Sequence, residues 1–105
     1  MAEKDPKEIE AQISRIKSKV TEFLANEHSN CGITHLAAIQ SSHDHIVQIG
    51  TSILCTKWGV GYPGGSFVQA IVNNQLMESY GRADSINRQC IEFYCKMLYN
   101  ISYIE

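Results

Sequence analysis

The stretch ITHLAAIQSSHDHIVQIGTSILCTK, residues 33–57, decides the fold, because its residues admit two readings. As a helix it puts Leu36, Ile39, His43, Ile46, Gly50, Ile53 and Lys57 on one face at helical spacing. As a strand it alternates Val47, Ile49, Thr51, Ile53 and Cys55, with Ser41-Ser42-His43-Asp44 as a hairpin turn and a high β-branched content in support. The segments that follow have helical periodicity and would pack on a helix here. We therefore expect an all-α chain, a small bundle of about four helices; the alternative is an α+β chain with a β-hairpin in 33–57.

Upstream, Asp5 suits an N-cap and Pro6 the first helical position. Ile9, Ile13, Ile16, Val20 and Phe23 or Leu24 then recur as one apolar stripe on an otherwise charged segment. This stripe either covers the rest of the domain or pairs with the same helix of a neighbour. Asn30 and Gly32 supply the stop.

Downstream, Trp58-Gly59-Val60-Gly61-Tyr62-Pro63-Gly64-Gly65-Ser66 is a Gly/Pro loop that opens a helix capped by Ser66 or Gly65. Phe67, Val68, Ile71, Val72 and Leu76 give that helix an apolar side, and it ends near Tyr80-Gly81. After the link Arg82-Ala83-Asp84, a last helix capped by Asp84 or Ser85 carries a stripe of Ile86, Cys90, Ile91, Tyr94, Met97, Leu98 and Ile101. The 105 residues suit one domain, an amphipathic N-terminal helix within 1–30 and a helical core over 31–105 that contains the loop 59–66.

Net charge is -2 and no block of basic residues occurs, which argues against duplex nucleic acid as a partner but leaves room for a small phosphorylated ligand. No run of about 18 apolar residues is present, so no membrane span is expected. The opening MAEKDPKEIE lacks the apolar core of a signal peptide, and a cytoplasmic location with reduced cysteines is the expectation. Eleven charged residues fall within 1–30, but only nine occur in the 75 residues from 31 to 105. So sparse a charge on a small domain predicts that part of its surface is covered by another subunit, and hence a homo-oligomer.

The loop is the most informative local feature. Gly64, Gly65 and Ser66 at a helix start would present the N–H groups of Gly65, Ser66 and Phe67 to a phosphate or carboxylate. Trp58 and Tyr62 flank it and offer stacking faces. Ser66 and Asn73 lie two turns apart, and Arg82, Asp84 and Asn87 follow as a compact polar set. The plainer reading makes the loop an interhelical turn, Trp58 a helix-end core residue, Asp84 a cap and Arg82 half of a surface ion pair. The loop is neither a P-loop, lacking Gly-Lys-Ser/Thr, nor a dinucleotide fingerprint.

Cys31, His35, His43 and His45 match no strong zinc spacing, and Cys90 and Cys95, five apart, fit neither CxxC chemistry nor zinc. Packing thiols and surface imidazoles are expected, with no metal, no cofactor and no catalytic group.

The run Tyr62-Pro63-Gly64-Gly65-Ser66-Phe67-Val68-Gln69-Ala70-Ile71-Val72-Asn73-Asn74-Gln75-Leu76, followed by Gly81-Arg82-Ala83-Asp84-x-x-Asn87, resembles a motif of short phage and prophage proteins. That family reads approximately Pro-x-Gly-Ser-Phe, then Asn-Asp-Leu, then Arg-Ala-Asp-x-x-Asn; the likeness covers about residues 57–100. Asn74-Gln75 stands here for the family's Asn-Asp, so no role of that carboxylate carries over. The resemblance implies a phage context. By analogy with small oligomeric counter-defence proteins, it implies a non-enzymatic protein that sequesters a phosphorylated nucleotide-type immune signal. The alternative is an interaction or inhibitor protein that docks on a host or phage protein.

Overall fold

The computed structural model describes residues 6–27 and 36–101. Six helices follow in order: α1 (Pro6–Glu27), α2 (Leu36–Trp58), α3 (Ser66–Val72), α4 (Leu76–Arg82), α5 (Ser85–Gln89) and α6 (Ile91–Asn100). The proposed cap Asp5, the stop at Asn30 and Gly32, and Cys31 and His35 lie outside the described residues.

The all-α reading holds, and no strand occurs among the described residues. The β-hairpin alternative for 33–57 is overturned by α2, a helix of 23 residues. Its β-branched residues are accommodated by burial rather than by a sheet. Ile46, Val47 and Ile53 are all in the core, and Thr51, also buried, donates its hydroxyl to the Val47 carbonyl at 2.7 Å. Burial of this many apolar groups outweighs a helix-propensity cost of some tenths of a kcal/mol per residue.

Six helices rather than about four arise because two expected helices are broken. The expected helix 66–80 stops at Val72 in a Schellman turn: Asn74 N–H donates to the Ile71 carbonyl at 3.1 Å and Gln75 N–H to the Ala70 carbonyl at 2.9 Å. Asn74 occupies the left-handed region at φ 60°, which Asn tolerates better than most residues. The end of α2 uses the same device with glycine. Gly59 has φ 69° and Val60 N–H reaches the Cys55 carbonyl at 2.8 Å. The expected last helix is interrupted at Cys90, whose N–H bonds to Asn87, three residues back, at 3.0 Å.

The core forms where α1, α3 and α6 meet around α2. Val20 and Leu24 of α1, Ile53 and Leu54 of α2, Phe67, Val68 and Ile71 of α3, and Phe93, Tyr94 and Met97 of α6 are all buried. Phe93 stands at its centre, with ring centroids 5.6 Å from both Phe23 and Tyr94, and Phe67 meets Tyr94 edge-on at 6.0 Å. The expected stripe of the last helix omits Phe93, yet Phe93 is fully buried there. Ile86, Leu98 and Ile101 are partly buried against the same core.

The stripe of α1 is used within the chain. Ile16, Val20 and Leu24 are buried and Ile9, Ile13 and Phe23 pack against the core, mainly across α2. Of its two expected roles, covering the domain is the one observed. In contrast α4 leans chiefly on α3, and only Ser79 of its seven residues is buried. Leu76, expected on the apolar side of a longer helix, is 58% exposed, because the turn at Asn73–Gln75 redirects the chain before it.

Candidate functional site

The Gly/Pro turn after α2 is anchored to that helix. Gly64 N–H donates to Thr56 Oγ1 at 2.8 Å, and the Gly64 carbonyl accepts from the Gln69 side chain at 2.7 Å. A Cβ at position 64 would stand 2.5 Å from Ser52 Oγ, so only glycine lets the turn lie this close to α2. Gly65 is the N-cap of α3 and provides no side-chain bond; its carbonyl accepts from Gln69 N–H at 3.0 Å. The N–H groups of Ser66, Phe67 and Val68 belong to the first turn and have no acceptor within the helix.

The aromatics around this turn have different fates. Tyr62 is 95% exposed, an open ring beside the α3 start. Trp58, at the end of α2, packs against the core, as the plainer reading had it. Phe67 turns inward, so only its backbone faces the turn. Gly65 and Ser66 are exposed, and Asn73 is the exposed C-cap of α3.

The expected polar set of Arg82, Asp84 and Asn87 divides. Arg82 Nε donates to Glu78 Oε2 at 2.9 Å, one turn back on α4, so Arg82 is half of a surface ion pair, as the plainer reading had it. Asp84 is the N-cap of α5, its Oδ1 accepting from Asn87 N–H at 2.7 Å. Asn87 itself is buried.

Asp84 and Asn87 instead meet a residue that the sequence left as a surface imidazole. His45 of α2 places Nε2 3.1 Å from Asn87 Oδ1 and 3.5 Å from Asp84 Oδ2. The same Asn87 Oδ1 accepts from the Tyr94 hydroxyl at 3.3 Å. Both neighbours of Nε2 are acceptors, so the geometry calls for a proton on that nitrogen. The polar tie thus joins α2, α5 and α6. Only the Asp84–Asn87 part had a local sequence signal, the cap spacing of three. His45 is 42 residues from Asn87, and nothing local marks it.

Cys90 lies behind this cluster. Burial, then the nearby Asp84 charge, pushes its thiol up to about 11, so at neutral pH it is a protonated packing group. Burial first, then the charges of Cys90 and Asp84, also drives the Tyr94 phenol well above its ordinary range, keeping it a hydroxyl donor. Cys55 is buried, whereas Cys95 is exposed, so the latter is not one of the core thiols. His43 faces Asp44 at 3.6 Å and His45 faces α5, so these two imidazoles do not share partners. Among the described residues no three His, Cys, Asp or Glu side chains are grouped to hold a metal, and no helix is long and apolar enough to cross a membrane.

The second exposed feature is α4. At about 100° per residue, Leu76, Tyr80, Met77 and Gly81 fill one side of this helix, and the Glu78–Arg82 pair occupies another. Met77 is 88% exposed and Tyr80 51%. Compared with known proteins, the chain matches no family model, no curated protein and no solved structure.

Proposed function

We propose that this protein is a non-enzymatic, self-associating binding protein, and that the apolar side of α4 is its association surface. The observation that carries the reading is the outward apolar arc of Leu76, Met77 and Tyr80 on a helix that leans chiefly on α3. From their exposures these three residues present roughly 400 Å² of surface in all, on the scale of the largest and often functional patch on a small protein. A standard interface covers about 800 Å² per partner, so the arc supplies about half, and the adjoining Asn73, Asn74 and Gln75 suit a polar rim. A second copy fits it well. In a two-fold contact the same patch meets itself, apolar on apolar, with the charges of Glu78 and Arg82 already paired and set to the other side.

Light scattering tests this reading. Wild-type protein at tens of micromolar is expected to exceed the 11.8 kDa of one chain, and Met77→Lys is expected to return it to that mass with its helical circular dichroism intact. A wild-type chain that stays monomeric at every concentration contradicts self-association. The same face then passes to the other occupant considered above, a host or phage protein.

A second reading, sequestration of a phosphorylated nucleotide, has its own support in the open first-turn amides of α3 beside the exposed Tyr62 ring. Under it the assembled protein holds the ligand's phosphate at Gly65, Ser66 and Phe67. Arg82 leaves Glu78 to add charge, and Asp84, Asn87 and Trp58 support the site rather than touch the ligand. On the resemblance to phage proteins drawn from the sequence, this reading makes such binding a counter-defence in the host cytoplasm. A panel of cyclic nucleotides and ADP-ribose derivatives in thermal melting checks it, since a ligand of the native state raises Tm. With a ligand in hand, Arg82→Ala should weaken binding by roughly 10- to 150-fold, the loss of about 1.5–3 kcal/mol for a charge-assisted contact, and Tyr62→Ala by the loss of about 1–3 kcal/mol for a stacked base. Equal affinity in both variants contradicts the placement.

A further inference from the structure

We propose that His45, Asp84 and Asn87 form a binding site for one divalent first-row metal ion, with Zn²⁺ as its probe. Three potential donor atoms of different chemistry converge here from two elements: a ring nitrogen from α2, and a carboxylate and an amide oxygen from the start of α5. His45 Nε2 lies 3.1 Å from Asn87 Oδ1 and 3.5 Å from Asp84 Oδ2. Two ligands each about 2.1 Å from a metal stand about 3.0 Å apart at a right angle and about 3.4 Å apart at the tetrahedral angle. The two spacings from Nε2 fall near that range, so an ion held by the imidazole nitrogen can reach each oxygen with shifts of some tenths of an ångström.

The surroundings already orient the donors. The remaining carboxylate oxygen, Asp84 Oδ1, is held by Asn87 N–H at 2.7 Å. The Tyr94 hydroxyl reaches Asn87 Oδ1 at 3.3 Å from the core side. Outer contacts of this kind fix the ligands of known metal sites. The charge balance is also favourable. Among the described residues the ion-pair partner of Asp84 is His45, which is a cation only when protonated. A divalent ion would neutralise the carboxylate with His45 neutral, at the cost of moving the imidazole proton from Nε2 to Nδ1 or to solvent. Asp84 is about half exposed and His45 about a third, whereas Asn87 is buried, so an ion enters from the carboxylate and imidazole side, where water can complete the shell.

A one-nitrogen, two-oxygen set with open positions suits a solvent-completed Zn²⁺, Co²⁺ or Mn²⁺ site rather than a closed structural zinc site, which takes four protein ligands. This site differs from the Cys31, His35, His43 and His45 grouping weighed above. Its two oxygen donors come from α5, and it is independent of the α4 reading.

Calorimetric titration of chelator-treated, full-length protein with Zn²⁺ tests the proposal. One equivalent per chain is expected, with affinity lowered roughly tenfold or more in His45→Gln and in Asp84→Asn, by analogy with the sensitivity of metal sites to their shell. His43→Gln should bind like the wild type. In NMR spectra of the imidazoles, Zn²⁺ should remove the Nε2 proton of His45 and shift that nitrogen, leaving His43 unmoved. No binding up to millimolar Zn²⁺, or wild-type affinity in Asp84→Asn, would overturn the site. Asp84→Asn decides the matter even if His45→Gln fails to fold, because Asn caps a helix as well as Asp does.

Discussion

α1 and α4 both carry apolar residues at helical spacing, and they use them in opposite ways. In α1, Ile16, Val20 and Leu24 are buried against α2 and the core, leaving a charged outer face. In α4, the buried residue is a serine, and Leu76, Met77 and Tyr80 stand outside. Length explains part of this. A helix of 22 residues can lay a stripe along a partner of 23, whereas α4 has seven residues and is launched by the Asn73–Gln75 turn at an angle that only α3 meets closely. An apolar stripe thus marks a face that needs a partner, without saying whether the partner is in the same chain.

The comparison is broken most severely by truncating each stripe. Leu24→Ala, at a site 1% exposed, should cost about 2–5 kcal/mol, visible as a large fall in Tm or as failure to fold. Met77→Ala should leave the Tm of the dilute monomer nearly unchanged, as surface substitutions do, within about 0.5 kcal/mol. Equal losses at the two sites would mean that α4 is packed within the chain after all.

A second effect concerns the core behind His45. The Cys90 thiol has an ordinary value of 9.0 and is raised to about 11 in the folded chain. The unfolded state therefore loses its proton first. The stability associated with the protonated thiol is complete below pH 9 and disappears as pH rises through 11. Tyr94 shifts in the same direction and adds to the loss. Denaturant midpoints should hold steady from neutral pH to about 9 and then fall, and Cys90→Ser should flatten part of that fall. A midpoint rising with pH over this interval contradicts the burial of both groups.

Smaller effects follow at the two ends of the Arg82–Asp84 link. Asp84→Ala removes a side-chain cap and should cost about 1 kcal/mol, with Asp84→Asn nearly neutral for stability. Arg82→Ala breaks an exposed pair with Glu78 and should cost less than about 0.5 kcal/mol. Denaturant melts of the three variants separate the residue that caps a helix from the one that makes an exposed ion pair.

Periodicity made α1 and the buried stripe of α6 legible, though not the break at Cys90 that separates α5 from it, and the Gly/Pro run placed the turn before α3. The capping role of Asp84 was readable because its partner, Asn87, is three residues away. Two kinds of feature were not readable. The break between α3 and α4 rests on Asn74 at positive φ, in a polar Asn-Asn-Gln run that weakens a helix without by itself requiring it to stop. The tie between His45 and Asn87 spans 42 residues, and it exists only because α2 and α5 are brought together by the core. Of the site residues picked from the sequence, the turn residues Gly64, Gly65 and Ser66 adjoin Tyr62, while Arg82 turns to Glu78 and Asp84 and Asn87 turn to His45.

The claim that α4 is the association surface is tested most directly by following backbone amide resonances as the protein is concentrated from ~10 µM to ~1 mM, a span covering weak and moderate self-association. The account predicts progressive shifts and broadening confined to residues 73–81, with the resonances of α1 unmoved, and the loss of those shifts in Met77→Lys. Spectra that do not change with concentration, or changes centred on α1, would contradict it.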